Sequence, residues 1–352
     1  MQTHRASRLP RRFADRLPIV SSVRIVAKAP VRTADIGGWT DTWFSSAGSV
    51  CSVAIEPGIT VTVDALPGTS DAVALTVGGE SRRLADDPLI EAAIRNVPVA
   101  CALHVQIDSG VPVGSGLGTS ASVTVALLAA LDALRLSLAP DGARVRSADE
   151  LACDAHRVET SLGWQSGVQD QLAAAHGGVN QFEVRYPNCG SADRLDGPAL
   201  RRLLDDRLLT VYLGRPHSSS AVHESVIASL EGVDNEPLLA PLRRAAADAA
   251  NALRASDLRA YGQAMIDAHE GTRSLHADLV CPEAEGVVEM ARHFGALGWK
   301  VNGAGGNGGS IAVLGPSEPQ RMAALVRAFD AEQGVELLRT RVAALGVSVV
   351  RG

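Results

Sequence analysis

The stretch that most narrows what this chain can fold into is Pro112–Leu131, PVGSGLGTSASVTVALLAAL. Gly114, Gly116 and Gly118 alternate through it, followed by Thr119, Ser120, Ala121, Ser122 and then a long apolar run. The segment before it, Ala102–Ile107, is Val- and Ile-containing and reads as a strand. A strand must therefore pass through a glycine turn directly into a helix spanning Thr119–Leu136. Glycine reaches positive φ without steric cost, so the turn can aim successive N–H groups at one point. The first amides of the helix lack intrahelical partners and lie at its positive dipole end, which suits an anion. An ordinary capped strand-to-helix turn explains the same residues. No lysine follows the glycines, so this is not the G-x-x-x-x-G-K-[ST] loop.

The rest of the pattern is α+β. Strands are expected at Val23–Ala27, ending at Pro30, and at Val50–Glu56, Ile59–Ala65, Val73–Val77, Val179–Val184, Leu208–Leu213 and Ser310–Leu314. Helices are expected at Ala148–Thr160, near 221–231, 236–255, 257–273 and 283–297, and at Glu318–Gly334. One or two strands close the chain within Arg339–Val350. Strands and helices do not alternate strictly, so two lobes are expected rather than a doubly wound sheet. Pro, Asn, Gly and Ser collect between Tyr186 and Arg207, which places the boundary there: lobes of 21–195 and 196–352, after an Arg-rich extension at 1–20. With 352 residues, 46% hydrophobic but only 3% aromatic, the core must be aliphatic. No apolar run looks long enough to span a bilayer, since Asp132 and Arg135 interrupt the best one. A net charge of −6 argues against a large nucleic-acid footprint. The five cysteines, at 51, 101, 153, 189 and 281, are odd in number and without a C-x-x-C pair. They read as buried free thiols in a reducing cytoplasm.

Three further stretches carry polar or glycine-rich patterns. Val301–Leu314, VNGAGGNGGSIAVL, satisfies G-x-G-x-x-G at Gly303, Gly305 and Gly308 but leads into a strand rather than a helix, against a dinucleotide fold. It is either a hairpin or a loop that approaches a ligand closely. Lys28–Thr42, KAPVRTADIGGWTDT, sets Arg32 and Asp41 around a Gly37–Gly38 turn. A surface ion pair and a turn cap account for them equally well. Val158–Gly178 holds Glu159 at the end of one helix and Asp170 at the start of another. Those two acids are either electrostatic decoration of helix ends or a metal ligand and a base.

Together, in this order, the four stretches resemble the GHMP kinase superfamily, whose members include galactokinase, homoserine kinase and mevalonate kinase. PVGSGLGTSAS resembles its phosphate-binding motif, with Thr119 replacing the first serine. KVNGAGGNGGSIAVL resembles its C-terminal glycine motif, with Asn307 in place of a common glycine. GGWTD and GVQDQLAAAHGG resemble the branch that phosphorylates sugars at C1, including the L-fucose and heptose 7-phosphate kinases. The resemblance implies a two-lobed fold, ribosomal-protein-like in the first lobe and ferredoxin-like in the second, with ATP between them. It implies that Gly114, Gly116, Leu117, Gly118, Thr119, Ser120 and Ala121 hold the phosphates, that Ser120 and Glu159 hold Mg2+, and that Asp170 is the base with Arg32 beside it. Trp39, Thr40, Asp41, Gln169, Gly305 and Gly306 would then face the sugar.

By the same resemblance the chain is an ATP-dependent sugar 1-kinase. Its partner would be a small-molecule sugar or sugar phosphate, with no nucleic acid or membrane involved and a homodimer left open. YLGRPHSSSAVHE (Tyr212–Glu224) is similar to a segment of the heptose phosphate kinases, which favours a heptose 7-phosphate or similar long-chain sugar phosphate. Arg215, His217 and Lys300 are then the candidates for holding the second phosphate, and a surface charge accounts for each of them equally well. The alternatives are a free-sugar kinase of the fucose, arabinose or galactose type and a non-catalytic sugar sensor on the same scaffold.

Overall fold

A computed structural model of the chain describes residues 23–45, 47–66, 72–138, 144–164, 166–186, 188–216 and 220–352. The Arg-rich segment 1–20 and His217 lie outside these. In order, the strands are β1 (Val23–Ile36), β2 (Gly48–Leu66), β3 (Val73–Val77), β4 (Glu80–Arg82), β5 (Ala102–Ser109), β6 (Val179–Arg185), β7 (Asn188–Arg194), β8 (Leu208–Tyr212), β9 (Gly298–Val301), β10 (Ser310–Leu314), β11 (Glu336–Leu338), β12 (Arg341–Val342) and β13 (Ser348–Arg351). The helices are α1 (Pro88–Asn96), α2 (Thr119–Leu138), α3 (Ala148–Ser161), α4 (Gln169–His176), α5 (Pro198–Asp205), α6 (Ser220–Leu230), α7 (Glu236–Arg254), α8 (Leu258–Leu275), α9 (Pro282–His293) and α10 (Pro319–Ala331).

β1 explains much of the architecture. Its first half alternates buried and solvent-facing residues, as a half-exposed strand must. From Ala29 onward every residue is buried. The strand does not end at Pro30 but passes through it. A register shift against β2 falls between Ala29 and Val31, and such a bulge accommodates a residue that cannot donate to the ladder. The continuation carries Arg32, Thr33 and Asp35 into the interior, each 3% exposed or less. The expected pair of strands at Val50–Glu56 and Ile59–Ala65 is likewise one long strand, β2.

The first sheet has the order β13-β1-β2-β5-β3-β4, with β6 and β12 on further stretches of β2 and β7 on β6. β3 and β5 are parallel, while the other pairs run antiparallel. α2 packs across β1 and β2, and α3 and α4 pack against it. α2 has 20 residues and an apolar window long enough to cross a membrane by length and composition, so the sequence-based exclusion was too strict. Two thirds of that window is buried in this core, which accounts for its hydropathy. The second sheet, β11-β8-β10-β9, is antiparallel throughout, and its Val211, Ile311 and Val313 pack with Val288 of α9 and Leu325 and Phe329 of α10.

Three regions differ from the sequence reading. Residues 188–205 form β7 and α5 rather than a linker. NCGSADR has low strand propensity, and its pairing with β6 makes it a strand. Residues 341–351 pair with β1 and β2, so lobes of 21–195 and 196–352 do not map one-to-one onto the two sheets. Cys153 of α3 and Cys189 of β7 form a disulfide with Cα atoms 5.5 Å apart, against the expectation of free thiols. Cys51, Cys101 and Cys281 are free and buried as expected.

Leu128 lies fully buried on α2 at the centre of the first core. Replacing it with alanine should lower unfolding free energy by about 2–5 kcal/mol. Urea titration checks this, and a loss near zero would place α2 outside the cooperative core.

Candidate active site

A cavity of about 800 Å³ opens where the β1–β2 turn, the glycine turn before α2, the α3–α4 connection, α6 and the loop 302–309 converge. Gly114, Gly116 and Gly118 all take left-handed φ near +70°, which rotates the turn toward the cavity. Thr119 and Ser120 line the cavity at the head of α2. Ser122 turns away, donating its hydroxyl to the Pro30 carbonyl at 2.7 Å. Leu117 does not line the cavity. It is fully buried, and its carbonyl accepts the Arg32 amide at 3.0 Å.

Arg32 and Asp170 form the centre of the site. Asp170 stands in the first turn of α4, and Arg32 reaches it from β1. The Arg32 Nε donates to Asp170 Oδ1 at 2.8 Å and Nη2 to Oδ2 at 3.2 Å. Nη1 donates to the Gly116 carbonyl, so one guanidinium joins the acid to the glycine turn. Gly118 abuts the same carboxylate: a Cβ there would lie 3.0 Å from Asp170 Cγ. The head of α2 and Asp170 are therefore in contact. Burial pushes the Asp170 carboxyl above its ordinary value, and Arg32 opposes that shift. Burial lowers Arg32, but Asp170 and Asp35 outweigh it and leave the guanidinium firmly charged.

A second polar layer supports this pair. Asp35 Oδ1 accepts the Gly303 amide at 3.1 Å and lies 3.6 Å from Lys300 Nζ, while Oδ2 accepts Gln169 Nε2 at 3.3 Å. Asn302 Oδ1 accepts from the Ala34 amide at 2.9 Å, and its Nδ2 donates to Ser310 Oγ, which donates in turn to the Ser115 carbonyl. These bonds seat the 302–309 loop against the turn before α2. A Cβ on Gly303 would meet the Gly116 carbonyl at 3.0 Å, so glycine is needed for that approach.

Two more buried acids open onto the cavity. Glu159, near the end of α3, accepts from Ser166 Oγ at 3.1 Å and from Gln171 Nε2 at 2.7 Å. Burial raises its carboxyl to about 7, and Asp170 adds to the shift. Asp41 Oδ2 accepts the Gln169 amide at 2.9 Å, and burial holds it up at about 6 despite that bond. Glu159 and the Ser120 hydroxyl line one cavity and are oxygen donors, the type Mg2+ prefers. Among the described residues no group of three or more His, Cys, Asp or Glu could hold a metal ion. That donor set fits an ion that keeps waters and shares phosphate oxygens rather than a protein cage.

Trp39, at φ +76°, and Gln169 line the cavity, and Trp39 lies against His223 of α6 with ring centroids 4.7 Å apart and planes tilted by 32°. Besides Leu117, three expected site residues sit elsewhere. Thr40 is buried with its hydroxyl on the Gly37 carbonyl at 2.7 Å, fixing the turn. Gly305 and Gly306 pack on Leu279 and Val280, and Gly303 and Ala304 line the cavity instead. Arg215 pairs with Glu283 at 2.7 Å, and Lys300 is buried against Asp35. Sequence reasoning missed Asp35, Asn302, His223, Glu224 and Trp164. Only Asp35 and Asn302, polar residues within otherwise strand- and glycine-patterned motifs, gave a usable signal.

The raised Asp41 carboxyl makes a stability prediction. The native state holds that proton more tightly than the unfolded chain, so its contribution is present at low pH and lost as pH rises from about 4 through about 6. Asp41→Asn, which keeps an acceptor for the Gln169 amide, should be more stable than the parent at pH 7.5 by about 1–3 kcal/mol and equal to it near pH 4. Equal denaturation midpoints at pH 7.5 would overturn this. Lys300→Met, which strands the buried Asp35 charge, should cost about 3–5 kcal/mol in the same assay.

Two family models match the chain, the GHMP kinases N terminal domain over residues 87–178 and the GHMP kinases C terminal domain over 249–334. Mevalonate kinase of Methanothermobacter thermautotrophicus is 27% identical over 218 residues, covering 60% of this chain and 65% of that protein. Galactokinase of Bos taurus is 27% identical over 265 residues, covering 66% of this chain and 65% of that protein. The chain thus spans a little under two thirds of each relative. The crystal structure of a D-glycero-D-manno-heptose 1-phosphate kinase from Bacteriodes thetaiotaomicron superposes with a TM-score of 0.69 at 21% identity, covering 93% of this chain and 98% of that one. Matching N- and C-terminal models, the two-lobed α+β fold and the glycine turn joined to Asp170 through Arg32 lead to one conclusion: this chain belongs to the GHMP kinase family.

Proposed function

We propose that this chain is an ATP-dependent phosphotransferase that phosphorylates the anomeric hydroxyl of a sugar. The observation that carries the reading is the bidentate Arg32–Asp170 pair held against the head of α2. A helix start with free amides and two hydroxyls receives the terminal phosphates of a nucleotide, and an ionised carboxylate lies beside it. The galactokinase and heptose kinase resemblances and the GGWTD stretch favour a sugar as the acceptor over mevalonate.

In this mechanism Gly114, Gly116, Gly118 and Thr119 cradle the phosphates with backbone amides and a hydroxyl. Asp170 accepts the proton of the sugar hydroxyl as its oxygen bonds to the γ-phosphorus. The bond from that phosphorus to the bridging oxygen breaks, leaving ADP and a sugar 1-phosphate. Burial raises the basicity of Asp170, and Arg32 keeps it ionised in the resting site. As the proton arrives, the Arg32 guanidinium is freed to stabilise charge on the transferring group. Ser120 and Glu159 are placed to hold Mg2+, which would neutralise charge on the phosphate oxygens. Asp41, Gln169 and Trp39 orient the sugar, so that positioning supplies much of the barrier reduction.

Asp170→Asn should lower kcat by about 10²–10⁴-fold while MgATP binding by calorimetry stays within a few-fold. Near-normal turnover in that variant would remove the base assignment. Asp41→Ala should raise the sugar KM far more than the ATP KM, and the reverse pattern would move Asp41 out of the acceptor site.

A further inference from the structure

The lining of the cavity has a charge pattern that bears on which acceptor it can take. Among the described lining residues stand four carboxylates, Asp41, Glu159, Asp170 and Glu224, and one guanidinium, Arg32. Arg32 already donates to both Asp170 oxygens and to the Gly116 carbonyl. Of the cations expected to hold a second phosphate, the two among the described residues are engaged elsewhere: Arg215 with Glu283, and Lys300 with Asp35 and, at 2.5 Å, the Val301 carbonyl.

Neutral polar side chains line the same cavity. Trp39 Nε1 and Gln169 Oε1 are buried without a hydrogen-bond partner, and both residues line the cavity. A buried donor and a buried acceptor left unmet are costly unless a ligand meets them. A sugar hydroxyl can do both, accepting from the indole and donating to the amide. A phosphate dianion only accepts, and it needs charge-assisted donors such as an arginine fork. Glu224, on α6 and solvent-exposed, adds a fourth carboxylate to the lining of the cavity that such a group would have to share. ATP adds further negative charge to the same space.

We propose that the acceptor is an uncharged polyhydroxy sugar and that Glu224 of α6 selects against one that already carries a phosphate. This rests on the kinase reading and narrows it, away from the heptose 7-phosphate that the Tyr212–Glu224 stretch favours. Glu224 is a specificity-determining residue here and takes no part in proton transfer.

The test is ADP formation by the full-length protein with MgATP and matched acceptors. The pairs are D-galactose against its 6-phosphate, D-mannose against its 6-phosphate, and D-glycero-D-manno-heptose against its 7-phosphate, with L-fucose as a further free sugar. The free member of the best pair should exceed its phosphate ester in kcat/KM by about 10²-fold or more, as expected for a like charge without a partner in a partly desolvated site. Glu224→Lys should lower that ratio at least ~10-fold, by raising phosphate-ester use and lowering free-sugar use, and Glu224→Gln should lower it by a smaller factor. MgATP binding by calorimetry reports whether each variant is folded. A phosphate ester that is the better acceptor, or a ratio unmoved by the charge reversal in a folded variant, overturns the inference while leaving the kinase reading intact. Absence of ADP formation with every acceptor despite MgATP binding overturns the kinase reading, and this inference falls with it.

Discussion

Burial of the Arg32 charge is the constraint on which the rest of the site depends. A guanidinium 3% exposed on a strand interior is tolerable only if its donors are met and its charge is opposed. Asp170 supplies two acceptors and the charge, and the Gly116 carbonyl supplies a third. The arginine and its partners come from three separate places in the chain: the continuation of β1, the turn before α2 and the first turn of α4. Satisfying one side chain therefore fixes all three against one another. The fully buried second half of β1 delivers the arginine there, and the register shift at Pro30 lets that half stay paired with β2.

The parts of the site legible in the sequence are those with a local backbone demand. The alternating glycines at 114, 116 and 118 announce a left-handed turn, and the apolar run behind them announces a helix. A carboxylate at the start of a predicted helix, like Asp170, is visible for the same reason. The split role of Val301–Leu314 was also legible, because a glycine loop leading into SIAVL must serve two strands. Yet which glycine faces the cavity depends on the path of the whole loop. Gly303 faces it, while Gly305 and Gly306 are spent on packing against Leu279 and Val280. Spacing alone does not carry that distinction.

What stayed hidden rests on contacts across long sequence separations. Lys300 looked like a surface cation or a phosphate ligand because lysine is seldom buried. It lies 265 positions from Asp35, 3.6 Å away, on a different sheet. β7 and the closing strands are similar cases: their sequences are polar or short, and their partners, β6, β1 and β2, define them. α6 could be predicted as a helix, but that its residues 223 and 224 reach the cavity follows from how the helix lies against the Trp39 turn.

The cavity also shows why such a site is costly to keep. Asp41, Glu159 and Asp170 are all pushed upward by burial, and Asp170 raises both of the others. A fold selected for stability alone would replace them with neutral groups of the same shape. Their persistence together, beside unmet donors and acceptors on Trp39 and Gln169, is the pattern expected where ligands complete the electrostatics that the empty protein leaves unbalanced. A cation shared with phosphate oxygens would draw Glu159 into its charged form, and a hydroxyl meeting the indole and the amide would remove two unsatisfied groups. Each bound species thus stabilises the fold by its own binding free energy. On the proposed reading the same acidity bears on selectivity: the cavity takes one phosphate donor with its counter-ion, and among the described residues that line it the one guanidinium, Arg32, is already paired with Asp170.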